Sequence, residues 1–392
     1  MTDVVIAGAA RTAIGSYGKS LKDIAPSDLG ATASKAAIER AGLQPDDVGH
    51  VVFGNVIHTE PGDMYMARVV GMKSGIPKET PAYTVNRLCG TGVQAIVSAA
   101  QTIQTGEADV ALAGGAESMS RGQYWMPGAR WGARMGDAPL VDAVVGALTD
   151  PFDRDHMGIT AERLAERGGI DRKRQDAFAA ESHRRAAQAR AEGRFADQIV
   201  PVEIKVKRDV QQFDQDEHIR ANADADAMAK LKPAFKGDGT VTAGNASGLN
   251  DAGAAVVLMS AKEAERRGAP VLGRILAYAS CGVDPRIMGI GPVPATRTVL
   301  ERAGRSLDEV GVIELNEAFA AQALAVIDEL GLDEAKVNPN GGAIALGHPV
   351  AATGAAITVK LLAEMERGDH ELGLATLCIG GGQGIALLVG RG

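Results

Sequence analysis

Cys89, His348 and Cys378 are the residues of this chain whose types and settings best suit covalent chemistry. They stand in Asn86-Arg87-Leu88-Cys89-Gly90-Thr91-Gly92, Gly347-His348-Pro349 and Cys378-Ile379-Gly380-Gly381-Gly382. A thiol, an imidazole and a second thiol can act as nucleophile, activating base and separate proton shuttle. Cys89 follows the strand-like run Ala82-Tyr83-Thr84-Val85 and precedes a small-residue helix. There the positive end of the helix dipole is expected to lower its pKa toward thiolate, and free amide N–H groups can hold an oxyanion. The alternative is a buried structural cysteine. His348, fixed between glycine and proline, is either a proton acceptor for Cys89 or a hydrogen-bonded turn residue. Cys378 ends a buried strand and opens a glycine turn, so it is core sulfur or a thiol that a ligand approaches. Asn316, in Glu314-Leu315-Asn316-Glu317-Ala318-Phe319, reads as an N-cap or as a polar anchor for a water or carbonyl.

The elements that must position these groups come from a chain long enough for two or three subdomains, at 392 residues. Its 45% apolar and 23% charged content is that of a soluble globular protein. A net charge of −8 gives no reason to expect nucleic acid as a partner. Cys89, Cys281 and Cys378 form neither a disulfide framework nor a zinc-ligand spacing, so no metal and a reducing, cytoplasmic setting are expected. Met1 to Gly8 lacks the pattern of a signal peptide and reads as a first buried strand. No apolar run is long enough to span a bilayer, and Gly384 to Val389 is of strand length.

The chain partly repeats itself. Glu39-Arg40-Ala41-Gly42 recurs as Glu301-Arg302-Ala303-Gly304, an offset of 262 (301 − 39). The same offset aligns Asp46-Asp47-Val48-Gly49 with Asp308-Glu309-Val310-Gly311, and Val51 to Gly54 with Ile313 to Asn316. It also sets Cys89-Gly90-Thr91-Gly92 on Ala351-Ala352-Thr353-Gly354. Strand-length apolar runs alternate with helical patterns at Ala31 to Arg40, Thr91 to Gln104 and Ala318 to Leu330, which predicts two α/β halves with mixed, largely parallel sheets. A duplicated fold would bring Cys89 and His348 from equivalent loops to one cleft. Between the repeats, roughly Ser118 to Leu249, lies a segment with both tryptophans, Trp125 and Trp131, and a charged amphipathic helix expected from about Thr160 to Glu192. Such an insertion supplies a lid, a binding loop or an oligomer contact.

Together these residues resemble the thiolase family along essentially the whole chain. Further matching runs are Gly114-Gly115-Ala116-Glu117-Ser118-Met119, His156-Met157-Gly158, Gly244 to Asp251 and Asn316-Glu317-Ala318-Phe319-Ala320. The resemblance implies a duplicated fold in five layers. An N-terminal half would span 1–118, completed by about 250–270, with an inserted loop domain at 119–249 and a C-terminal half at 271–392. It also implies reversible acyl transfer between coenzyme A thioesters with carbon–carbon bond formation or cleavage, by ping-pong kinetics and without a tightly bound cofactor. Cys89 would carry the acyl group, His348 would activate it, and Cys378 would move the α-proton. Asn316, through a water, and His348 would hold the enolate oxygen; the amides of Cys89 and Gly380 would hold the tetrahedral intermediates. His156, Met157, Ser247, Met288, Ala318 and Phe319 match positions lining the pantetheine and acyl pocket, with Arg220 and Leu231 near the nucleotide end. Ser118 to Asp137 resembles the family's tetramerisation region, which implies a homotetramer.

His156-Met157-Gly158 and Met288 to Pro292 resemble the short-chain biosynthetic side of the family, and Ala129 to Asp137 the broad-specificity bacterial β-ketothiolases. Acetyl-CoA acetyltransferase activity tolerant of propionyl groups is therefore expected. The alternatives are a degradative 3-ketoacyl-CoA thiolase, a non-catalytic acyl-CoA or lipid carrier, and a condensing ketosynthase. One departure stands out: the family usually has glycine where this chain has Ala351, and the added methyl either crowds the His348 turn or is absorbed at an ordinary negative φ.

Overall fold

In this computed structural model residues 2–392 are described; Met1, part of the expected first strand, lies outside them. The nine principal strands are β1 (Val4–Thr12), β2 (His50–Gly54), β3 (Ala82–Val85), β4 (Val110–Ser118), β5 (Asn250–Ser260), β6 (Gly273–Gly282), β7 (Val312–Leu315), β8 (Leu372–Ile379) and β9 (Gln383–Gly390). They run in the order β7-β8-β9-β6-β1-β5-β4-β2-β3. The two halves of this path meet only through the short β1–β6 pairing, Val5 with Arg274 and Ile6 with Gly273.

The repeat holds at the level of individual hydrogen-bonded pairs. Parallel β2 and β4 pair His50 with Ala111 and Phe53 with Gly114; parallel β7 and β8 pair Val312 with Gly373 and Leu315 with Thr376. Each of these four residues of the first half maps onto its mate by adding 262. The 3₁₀ turns before β2 and β7 also correspond, each with a capping box: Gln44 with Asp47, and Ser306 with Glu309. The symmetry fails at β3, whose counterpart is only an isolated bridge between Ile313 and Val337.

Seven helices cover and separate the sheets: α1 (Pro26–Arg40), α2 (Thr91–Gln104), α3 (Met157–Gly168), α4 (Arg172–Ala191), α5 (Pro292–Ala303), α6 (Ala320–Leu330) and α7 (Val350–Arg367). Strand alternation sorts the core into layers. In β8, Ala375, Leu377 and Ile379 join a cluster with α2 and α7 residues such as Ile96 and Leu361, while Leu374 and Cys378 join α5 and α6 residues on the opposite face. In β1, Val4 and Ile6 face the α2–α7 layer and Val5 and Ala7 face α1. The resulting order is helix, sheet, helix, sheet, helix. Strands buried on both faces carry mostly apolar or small residues, as β4 and β5 do apart from Glu117, Asn250 and Asp251.

The central helices touch at residues related by the repeat. A side chain at Gly92 would lie 2.3 Å from the Ala355 nitrogen, and one at Gly354 would lie 2.4 Å from the Val93 nitrogen. The missing Cβ atoms let the first turns of α2 and α7 cross backbone to backbone, which brings the Cys89 and His348 loops side by side. Three expected helices have different limits. The charged helix from Thr160 to Glu192 is two helices, because Gly169 adopts a left-handed φ of 61° and ends α3. Asp171 then caps α4, accepting from the Arg174 N–H at 2.7 Å. The pattern from Ala318 becomes helical only at Ala320, since Phe319 bridges Ala246 in extended conformation. That from Ala31 starts earlier, with Pro26 at the first turn. Among the described residues no helix is long and apolar enough to cross a membrane.

Candidate active site

The Cys89 loop leaves β3 and makes one 3₁₀ turn, Leu88–Gly90, before α2 begins. Leu88 adopts φ 45°, a left-handed conformation that costs a non-glycine residue about 1–2 kcal/mol. Local bonds hold it: the Leu88 N–H donates to Asn86 Oδ1 at 3.0 Å, and the Arg87 N–H to Thr91 Oγ1 at 2.8 Å. The N–H groups of Gly380 and of Cys89 itself both favour negative charge on the Cys89 sulfur, yet burial outweighs them and pushes the thiol up to about 11. The expected shift toward thiolate is therefore overturned in the resting enzyme. The residue is half-buried among Ile57, Met119, Val144, Leu148, Leu249 and Val350, and loss of water around the sulfur outweighs the helix terminus. Such a thiol needs a base to react.

His348 supplies a neutral imidazole. Burial lowers its pKa to about 4. Its main chain is pinned by Asn250, whose Oδ1 accepts the His348 N–H at 2.9 Å, and by a bridge to Leu249. Thr353 Oγ1 lies 2.7 Å from Nδ1 and donates to the Pro349 carbonyl at 3.0 Å. With its single proton on that carbonyl, the hydroxyl accepts from Nδ1–H. This assigns the tautomer and leaves the Nε2 lone pair free, and Nε2 is buried without a protein partner among the described residues. Ala351 lies in the first turn of α7, outside the residues with positive φ. Its methyl is absorbed at an ordinary helical position and does not crowd the turn.

Cys378 and Gly380 sit at the hairpin joining β8 to β9. Gly381 and Gly382 adopt φ of 83° and 87°, a reversal that glycine makes without steric cost. Cys378 is fully buried. Burial raises its pKa well above the ordinary thiol value, and the neighbouring Cys89 charge raises it further. A side chain at Gly380 would come within 2.9 Å of Met157 Cε, so the bare backbone there is what lets its N–H reach Cys89. Asn316 follows β7 directly. Among the described residues neither its Oδ1 nor its Nδ2 has a protein partner, although both atoms are buried. It caps no helix, since α6 starts only at Ala320, and its amide is left for a ligand or a water.

Six expected pocket residues converge beside Cys378. Met157, Met288, Ala318 and Phe319 share one cluster with it. The Ser247 N–H donates to the Ala318 carbonyl at 3.0 Å. His156 caps α3 through Nδ1, which accepts from the Gly158 N–H at 3.1 Å, and stacks at 4.5 Å on Phe235, which meets Phe319 edge-on. Leu231 is less intimately placed: it fills space beside Gly244, and its carbonyl accepts from Arg172 at 3.1 Å. Arg220 is exposed and stands apart, its N–H donating to His183 Nδ1 at 3.2 Å. Sequence reading missed the roles of Phe235, Asn250, Thr353 and Glu117. Thr353 could have been found, because it lies in the first turn of α7, five residues after His348, and matches Thr91 by the repeat. Phe235 lies in an irregular loop and gives no signal.

Comparison with known proteins gives the family and the fold. The profile of the thiolase N-terminal domain matches residues 4–262 and that of the thiolase C-terminal domain residues 269–391. The chain is 60% identical over 390 residues to the β-ketothiolase BktB of Cupriavidus necator, across 99% of both chains. It is 53% identical over 393 residues to an acetyl-CoA acetyltransferase of Pseudomonas aeruginosa, across 100% of both. The acetyl-CoA acetyltransferase of Bacillus anthracis superposes with a TM-score of 0.97 at 46% identity, across 100% of this chain and 99% of the other. Human mitochondrial 3-ketoacyl-CoA thiolase does so with 0.98 at 44%, also across 100% and 99%.

Proposed function

The chain belongs to the thiolase family, and from that premise we propose how its residues divide the work of a short-chain acyltransferase. The reaction is the reversible Claisen condensation of acetyl-CoA with a second acetyl-CoA or with propionyl-CoA, giving a 3-ketoacyl-CoA and free coenzyme A. Cys89 attacks the first thioester carbonyl and gives its proton to Nε2 of His348, which passes it to the departing coenzyme A thiolate. The acyl group is then a thioester on Cys89. Cys378 next gives its own proton to Nε2 of His348 and, as the thiolate, takes the α-proton of the second acyl-CoA. Its enolate oxygen is held by His348 and, through a water, by Asn316. The enolate carbon attacks the acyl-Cys89 carbonyl, and the N–H groups of Cys89 and Gly380 hold the tetrahedral oxyanion until the Cys89–acyl bond breaks and the Cys89 sulfur takes the proton back from His348.

The observation carrying this reading is the opposition of a half-buried and a buried thiol in one site, with the Gly380 N–H on the first sulfur. It also supports an order of events. Acyl transfer to Cys89 releases the first coenzyme A before Cys378 acts on the second thioester. Ping-pong kinetics follow.

The pocket of Met157, Met288, Phe319, Phe235 and His156 suits a pantetheine arm. Residues 119–249, with Arg220 and Leu231 toward the nucleotide end, form the coenzyme A-holding loop domain between halves spanning 1–118, completed by 250–270, and 271–392. The segment from Tyr124 to Val145 exposes Tyr124, Trp125, Met126, Trp131, Met135 and Leu140, an apolar surface that supports a homotetramer. A cytoplasmic location fits three free thiols. Incubation with acetyl-CoA followed by peptide mass mapping is expected to show acetyl only on Cys89, and no adduct would overturn the nucleophile assignment. Cleavage rates over a ladder of 3-ketoacyl-CoA lengths are expected to peak at acetoacetyl or 3-ketovaleryl chains. A maximum at 3-ketooctanoyl or longer would instead favour a degradative role.

A further inference from the structure

Glu117 is a buried carboxylate that the acyl-transfer steps do not use, and it sits at the joint between the two halves. It lies near the end of β4, on the face of that strand turned toward α7. Two residues earlier on the same face, Gly115 has no side chain, and a Cβ there would stand 2.0 Å from the Ala351 carbonyl oxygen. The first turn of α7 therefore rests directly on β4. Glu117 Oε2 accepts the Ala351 N–H at 2.9 Å, so strand β4 grips both the carbonyl and the N–H of this residue. Its other oxygen, Oε1, accepts the Ile57 N–H at 3.0 Å and Asn55 Nδ2 at 3.1 Å.

One carboxylate thus binds two segments that flank the nucleophile. Ile57 and Val350, the latter between His348 and Ala351 in sequence, both pack in the cluster that surrounds Cys89. Every partner of Glu117 is an N–H donor, an arrangement that suits the ionised form. Among the described residues no lysine or arginine pairs with it. Burial opposes the charge and pushes its pKa up to about 8, against the N–H groups of Ile57, Ala351 and Val56. The titratable groups around it are Asp63, from the loop after β2, and Cys89. His348 lies in the turn before α7, and Asp251, across β5, already accepts from Ser120.

We propose that Glu117 is a positioning residue that clamps the His348 turn to the Ile57 wall of the acyl site. The proposal rests on the thiolase reading for its consequence in turnover, but not for its effect on the thiol. The clamp keeps His348 where it can take the Cys89 proton, and above its pKa of about 8 the ionised carboxylate also disfavours charge on the Cys89 sulfur. Asparagine, glutamine or leucine at this place would leave Ile57 N–H or Ala351 N–H facing a donor or nothing.

The test uses the full chain and iodoacetamide, with alkylation of Cys89 followed by peptide mass mapping across alkaline pH. Glu117→Gln is expected to move the alkylation midpoint to lower pH, speeding the reaction roughly threefold or more at a fixed pH on the rising limb, with the high-pH plateau unchanged. Its acyl-transfer turnover falls about tenfold or more. Glu117→Asp keeps the charge but is too short to span both N–H groups, so it is expected to keep the wild-type midpoint and still lose turnover. A Gln midpoint equal to wild type, or equal shifts in both variants, would overturn the proposal, as would a plateau change without a midpoint shift. If Glu117→Gln does not fold, the Asp variant decides: full wild-type turnover there would sink the clamp. Failure of Cys89 to acetylate in the wild type would instead sink the thiolase reading while leaving the alkylation result to stand.

Discussion

The two halves of the molecule share a backbone and split the chemistry. Subtracting 262 from the proposed groups of the second half, Asn316, His348 and Cys378 fall on Gly54, Asn86 and Ala116. Adding it to Cys89 gives Ala351. Each reactive group thus faces an unreactive one at the equivalent place. Gly54 cannot carry the amide that Asn316 does, because a Cβ there would stand 2.1 Å from Thr91 Cγ2. The capping boxes, the β2–β4 and β7–β8 registers and the Gly92–Gly354 crossing are kept in both halves. In the proposed division the first half supplies the nucleophile, while the wall around it comes from Ile57, from Met119, Val144 and Leu249 of the inserted segment, and from Val350. The second supplies the groups that move protons or hold the enolate. The lesson is that duplication conserves what positions a loop, and leaves its tip free to diverge.

The strongest way to break that division is Cys378→Ala. Condensation and cleavage are expected to fall by about 10³-fold or more, while acetylation of Cys89 by acetyl-CoA, followed by mass, persists. Equal loss of both half-reactions would mean that the second half also serves the first step. Asn316→Ala sharpens the same contrast, with an expected loss of about 10² to 10³ in condensation. Acylation should hardly change, because its oxyanion rests on the amides of Cys89 and Gly380. Single-turnover kinetics with acetyl-CoA would separate the two.

A pH titration of stability tests how firmly the second half buries its histidine. His348 has a folded pKa of about 4, below its unfolded value near 6.5. Its depressed pKa means that the unfolded chain binds the extra proton, so its stability contribution is fully present above pH 6.5 and is lost as pH falls through 4. The expected size is about 3 kcal/mol. His183 and His218 are lowered to about 4 for the same reason, burial, and add to the slope. Denaturant midpoints measured from pH 4 to 7 should gain less with pH in His348→Gln than in the wild type, while the raised pKa of buried Glu117 opposes the histidine slope equally in both. An equal slope in that variant would place the imidazole in water.

The crossing of α2 and α7 gives a smaller effect. Gly92→Ala and Gly354→Ala each force a methyl against backbone at 2.3 and 2.4 Å, with an expected cost of about 1–3 kcal/mol. Both should also slow acyl transfer, because the crossing sets the distance between the Cys89 and His348 loops. A thermal melt beside a turnover assay would show whether position and stability are lost together.

What the sequence revealed follows from where its information is local. Gly42 and Gly304, the capping boxes and the apolar strands carry their signals within a few residues, and from them the duplication and its register could be read. Cys89, His348 and Cys378 stood out because glycine and proline flank them. The acidity of Cys89 could not be read in this way. The helix terminus is visible in Gly90-Thr91-Gly92, but the residues that desolvate the thiol come from Ile57, Met119, Val144 and Leu249, spread over the chain. The break at Gly169 was hidden by charged residues running through it, although Gly168-Gly169 and Asp171 marked both ends. Phe235 and Glu117 act through partners far away in sequence, so their places were set only by tertiary packing.

The smallest effect is the most direct test of equivalence between the halves. Gly42 and Gly304 occupy the same place after α1 and α5, with φ of 70° and 63°. A Cβ at either would meet nothing within 4 Å, so the cost of alanine comes from the left-handed backbone alone. That cost is about 1 kcal/mol at each position. The two variants should therefore show the same loss of stability by denaturant unfolding and unchanged acyl transfer, since neither residue touches the site. Unequal losses would mean that the surroundings of one turn differ in a way the shared backbone conceals, and the repeat would then be geometric without being energetic.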